Sequence, residues 1–175
     1  MSQSPALPDS LTELSFSEQL TLWSLRYWAD SYRKEQSPYM VMKDAYRLAK
    51  APGGLTALDN FMTLLISGNS RTVDIRCLCC RGISADEWRI LQSLALTQEK
   101  NPYAAAPLIS LFLEPAATRM ALPVLKEWAR KLFAGNHILP VREDALAVAR
   151  THYASAEMYQ KQQERGFDRE RPAVH

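Results

Sequence analysis

Histidine, cysteine and glycine are scarce in this chain, with three, three and six among 175 residues. So few histidines leave little material for imidazole catalysis or ligation. The cysteines, an odd number crowded into positions 77 to 80, do not make a stapled extracellular framework, so a reducing cytoplasm is the expected home. No uninterrupted apolar run of about eighteen residues occurs, and no ordinary transmembrane helix is expected. Met1 to Ser10 lacks the basic region and apolar run of a secretory signal. An excess of one charge is missing too: 21 basic against 19 acidic residues leave +2, too little to draw nucleic acid or anionic lipid by bulk electrostatics. A phosphate-cradling glycine loop, H-E-x-x-H, G-x-S-x-G and a dinucleotide fingerprint are all absent, which counts against an enzyme.

What is present is helical periodicity. With 47% hydrophobic and 23% charged residues the chain has the composition of an ordinary globule. At this length one domain buries roughly two-thirds of its unfolded surface, so folding requires neither metal nor disulfide. Strand signals reduce to the short run Thr72-Val73-Asp74-Ile75. Ser15 and Glu18 have capping-box spacing, and a first helix is expected from there to about Arg33. Its wide apolar face, carrying Leu20, Trp23 and Tyr27 beside Leu22, Leu25, Ala29 and Tyr32, suggests a central helix. Further helices are expected at about Pro38 to Lys50, Leu55 to Gly68, Ser84 to Lys100 behind a second capping box, Pro102 to Leu113, Pro115 to Ala134, and Val141 to Glu164. Pro107 and Pro123 should kink or shorten theirs. The glycines fall where left-handed helix ends are needed. The expectation is therefore an all-α, single-domain bundle of about six to seven helices in mixed antiparallel and angled packing: a flexible segment 1–14, a domain 15–165 and a polar tail 166–175.

One local feature exceeds what composition leads one to expect. Cys77-Leu78-Cys79-Cys80 lies in the longest irregular stretch, Asn69 to Ile83, among Arg71, Arg76 and Arg81 and just before the fourth helix. Positive charge and a helix N-terminus both favour a thiolate, which makes these residues candidates for reactivity or metal binding. Zinc wants four ligands, however, and Cys77 and Cys80 have no second pair, so His137 or His152 would have to be recruited. As a redox pair, Cys77 with Cys80 is favoured over the adjacent Cys79 with Cys80. The plainer alternative is that some of these cysteines pack into the core as small hydrophobes. No cofactor is otherwise expected.

Other candidates have bland explanations. His137 falls in a turn, His175 is terminal, and His152 on a helix face reads as a core-edge residue. Asp86 and Glu87 are accounted for by capping and the helix dipole. The helix pair around Ala51 to Gly54 resembles a helix-turn-helix, but its second helix has Asp59 and no Lys or Arg, which counts against nucleic-acid recognition. In the last helix Lys161 and Arg165 are offset by Glu157 and Glu164. Among the aromatics Trp28 and Tyr39 are candidates for an interface, because both sides of the first helix look apolar.

The order of pieces, a short C-x-C cluster, then Ala85-Asp86-Glu87, then Ala104 to Leu113 and Glu114-Pro115-Ala116-Ala117, resembles uncharacterised all-helical proteins of proteobacteria. The resemblance implies a bacterial, cytoplasmic, helical protein with a regulatory or structural role, and no activity. The leading expectation is a non-enzymatic module that binds a protein partner or itself as a homodimer. A thiol-based redox sensor or metal-binding regulator using Cys77, Cys79 and Cys80 is the alternative, and a nucleic-acid-binding regulator the third.

Overall fold

The structure is a computed structural model that describes residues 11–99, 102–142, 145 and 147. Among them are six α-helices and no strand: α1 Phe16–Arg33, α2 Tyr39–Leu48, α3 Gly54–Ser67, α4 Ala85–Gln98, α5 Ala106–Ile109 and α6 Pro115–Ala134. The all-α class is as expected. The stretch 72 to 75 forms no strand, and the isolated bridge among the described residues joins Asn69 to Leu113.

Both predicted capping boxes form. Ser15 Oγ accepts the Glu18 N–H and the Glu18 carboxylate accepts the Ser15 N–H, which satisfies two of the amide donors that open α1. Ser84 and Glu87 do the same for α4. The helix expected from Pro102 to Leu113 is instead a 3-10 turn, Pro102–Ala105, followed by the single turn of α5. Pro107 sits in the first turn of α5 and cannot donate to the preceding turn, so the two pieces do not fuse. α6, by contrast, continues past Pro123 to Ala134 and is not shortened by it. The carbonyl that loses its partner there belongs to Arg119, an exposed residue that water can serve. Of the last expected helix, only 141, 142, 145 and 147 are described, the latter two as helical. The end segments 1–10 and 148–175 lie outside the described residues.

The left-handed helix stops are not glycines. Glu35, Lys50 and Asn136 have φ of 54°, 58° and 64°, and no described glycine has positive φ. Glycine is required for proximity instead: a Cβ on Gly68 would run into the Ala117 methyl, and one on Gly54 would lie 2.6 Å from the Tyr46 ring.

The close approach at Gly68 brings α3 against α6, and α6, not α1 as expected, is the hub. α6 packs against α3 most extensively, and also against α4 and α5, whereas α1 rests on α3 and α4. Trp128 of α6 is fully buried, tilted against Phe61 of α3 with ring centroids 5.9 Å apart. Leu58, Leu125, Ile90, Leu94 and Phe112 complete the core around it. Each such side chain contributes about 1.5–3 kcal/mol by leaving water. A smaller cluster, Leu14, Leu22, Ile83, Trp88 and Leu91, joins α1 and α4 with Ile83 from the end of the segment that precedes α4.

Candidate functional site

The segment between α3 and α4 has almost no regular hydrogen bonds of its own, so its shape is set from outside. The first anchors are backbone: Ser70 N–H donates to the Phe112 carbonyl and Glu114 N–H to that of Gly68. The decisive ones are two consecutive carboxylates at the start of α4.

Asp86 accepts both terminal nitrogens of Arg71 at 2.8 and 2.7 Å, Arg89 Nη1 at 2.7 Å and the Asp74 N–H at 3.0 Å. Burial pushes its carboxyl up, but the hydrogen bonds from Arg71, Asp74 and Arg89 outweigh that and hold it down at about 2. Glu87 is wholly buried and forms a two-pronged pair with Arg26 of α1, itself 2% exposed, at 2.7 and 2.9 Å. It also accepts the Arg76 N–H at 3.0 Å, beyond its capping bond with Ser84.

Arg26 then reaches past Glu87 into the loop. Its Nη1 donates to the Cys80 carbonyl at 2.6 Å and its Nη2 to that of Gly82 at 2.7 Å. Arg33 of α1 donates to the Ile75 carbonyl, and the loop's Arg81 carbonyl accepts the Leu11 N–H. A buried cation with its anion and two carbonyls is a satisfied network, which is the condition under which such a pair is tolerated in a core.

On this frame the cysteines form a turn. Cys80 N–H donates to the Cys77 carbonyl at 3.2 Å and the two Cα atoms are 5.4 Å apart, joined by a Cys77–Cys80 disulfide. Cys79 is free and exposed, with its Sγ 2.8 Å from that of Cys77. All three sulfurs lie within 4.8 Å of one another. None is buried, so the core-packing alternative does not describe them. Nor does the N-terminus of α4 face them free, because Ser84 and Glu87 occupy it, and Arg71 is engaged with Asp86. Beside the turn, Leu78 joins Leu11, Phe16, Leu20 and Trp23 in lining an apolar cleft of about 350 Å³.

The other candidates lie apart. His137 is buried, with Nε2 2.7 Å from the Ala49 carbonyl, and is no ligand for the sulfurs. His152 and His175 are outside the described residues. Trp28 is 7% exposed, its indole N–H donating to Asp59 at 2.8 Å, which places it in the core and not on an open face. Tyr39 is 55% exposed. The sequence reading missed Arg26 and the second role of Glu87. The available signal was a lone arginine set among the apolar stripes of α1. Comparison with protein-family models, curated proteins and solved structures finds no match to this chain.

Proposed function

We propose that this protein is a non-enzymatic helical regulatory module that responds to thiol oxidation state through the 77–80 turn. The observation that carries this reading is the free Cys79 sulfur 2.8 Å from Cys77, which is itself paired with Cys80. A third thiol at that distance is an internal nucleophile for exchange. The Cys79 thiolate attacks Cys77 Sγ, the Cys77–Cys79 bond forms as the Cys77–Cys80 bond breaks, and the electron pair leaves on Cys80, which takes up a proton. Formation of the original pair from thiols releases two protons and two electrons to a small-molecule disulfide, which becomes two thiols. Because Arg26 of α1 holds the Cys80 carbonyl, the state of the turn is transmitted to a helix.

Equilibration in thiol/disulfide buffers followed by alkylation and mass analysis tests this. Two thiols should disappear as one cooperative pair that always includes Cys77, the remaining modifiable thiol being shared between Cys79 and Cys80, and Cys79→Ser should abolish that sharing. Three thiols that react independently at every potential would remove the reading.

A second reading, self-association, is favoured by α2, where Tyr39, Met40, Val41 and Leu48 are half or more exposed. Met40 and Leu48 are eight residues apart and share one face. A second copy of the chain covers this face in that reading. Light scattering should show a dimer that Met40→Glu with Leu48→Glu dissociates, and a monomer at all concentrations would dismiss it.

A further inference from the structure

A disulfide switch needs two cysteines, and this turn converges three. We propose that in its reduced form the turn is a three-thiolate site for a soft monovalent metal ion, with copper(I) as the ion it fits. The proposal rests on the turn being an accessible thiol site, as argued above, but it does not require that the disulfide act as a signal.

Four observations lead to that ion. The first is donor type. Among the described residues the cluster is all sulfur, with no carboxylate or imidazole in it, and soft thiolates select soft cations over the oxygen-seeking ones. The second is donor number. Closed zinc sites use four protein ligands, whereas the chain offers three here, His137 being committed to the Ala49 carbonyl in another part of the fold. Copper(I) is satisfied by three thiolates.

The third is preorganisation. Three donors on four successive residues would ordinarily cost considerable ordering. Here the Cys80-to-Cys77 backbone bond closes the turn, and the buried Arg26 holds the carbonyls of Cys80 and Gly82 from below. The fourth is charge. Three thiolates around one monovalent cation carry a net charge of minus two. Arg76 brings its Nη1 2.6 Å from where a Gly82 Cβ would stand, two residues past Cys80, and Arg26 donates to the Cys80 and Gly82 carbonyls. Arg76 also faces Asp74 at 3.9 Å and Arg26 is paired with Glu87, so the two cations offset only part of that negative charge.

The chemistry balances without electron transfer at the metal. An external dithiol or phosphine first supplies two electrons to open the Cys77–Cys80 bond. Copper, delivered already as copper(I), then forms three sulfur–metal bonds while three protons leave to the buffer.

The test is an anaerobic titration of the reduced full-length protein with copper(I) against a chromophoric copper(I) chelator, with zinc(II) titrated in parallel. One copper per chain is expected, with near-ultraviolet sulfur-to-copper absorption. Cys79→Ser should weaken binding about 100-fold or more, since even changes outside the ligand shell cost metal sites about 10–100-fold. That variant retains Cys77 and Cys80, so its disulfide chemistry in thiol buffers separates failure of the metal site from failure of the redox reading. Failure of the reduced wild type to compete for copper, equal affinity in Cys79→Ser, or zinc displacing copper from the turn would each overturn the proposal. Circular dichroism of the variant matching that of the wild type confirms that a loss reflects the site and not the fold.

Discussion

At the scale of single residues, the two carboxylates that open α4 hold different shares of the loop. Glu87 and Arg26 are both almost wholly out of water, so Glu87→Gln leaves a buried guanidinium without its anion. Loss of one partner of such a pair costs about 3–5 kcal/mol. Chemical denaturation should show a drop of that size, and a double replacement, Arg26→Met with Glu87→Leu, should cost less than the sum of the single ones. Asp86 makes a separate, pH-dependent contribution. Its carboxyl titrates at about 2 in the fold against an ordinary 3.8, so the stability it adds is complete above the ordinary value and is lost as pH falls from there toward 2. Allowing for solvent screening of the half-exposed Arg71, the loss is about 1–2 kcal/mol. Acid unfolding followed in wild type and Asp86→Asn should show this limb in the first and not in the second. The sequence made both carboxylates visible as capping residues and went no further, because spacing reveals a bond between neighbours but not that a residue 61 positions away returns to the same carboxylate. The cysteines were legible for the opposite reason, since three sulfurs within four residues need only one turn to meet.

At the scale of elements, local signals placed the bounds of the long helices, with the ends expected at Arg33 and Ala134 being the observed ones, and were poor on the backbone geometry of a stop and on how the helices pack. Ser15 and Ser84 announce their helices because the capping bond spans three residues. The left-handed stops at Glu35 and Lys50 had no such mark, whereas Asn136 falls in the expected turn and is of a residue type that tolerates that conformation. The centrality of α6 was likewise hidden: it is aided by Gly68, just past α3, which lets Ala117 of α6 approach closely, a property of two helices together. Gly68→Ala should therefore push α3 away from α6 and lower stability by about 1–3 kcal/mol, the usual range for overpacking. Restoring room with Ala117→Gly in the same protein should recover part of the loss. Thermal unfolding of the two variants side by side measures both.

For the whole molecule, the loop segment is a meeting place of parts far apart in sequence: Leu11 at the described start, α1 through Arg26 and Arg33, and α4 through Asp86 and Glu87. The strap after α6 is tied in the same manner, with Gln98 and Gln92 bonding residues 137 to 142 and Arg142 pairing with buried Glu18. Opening the Cys77–Cys80 bond frees a ring of only about four residues, for which chain entropy predicts about 2 kcal/mol at most. Reduced protein should thus unfold cooperatively at a modestly lower denaturant midpoint, with its helical circular dichroism intact.

The cleft that Leu78 shares with Trp23 gives the turn a built-in optical reporter. Whatever repositions the cysteines must carry the residue between them, and with it the hydrocarbon wall against an indole that is only partly shielded from solvent. Emission from Trp23, isolated by replacing the other three tryptophans with phenylalanine, should change colour when reductant or copper(I) is added, and should stay still in a Leu78→Ala background.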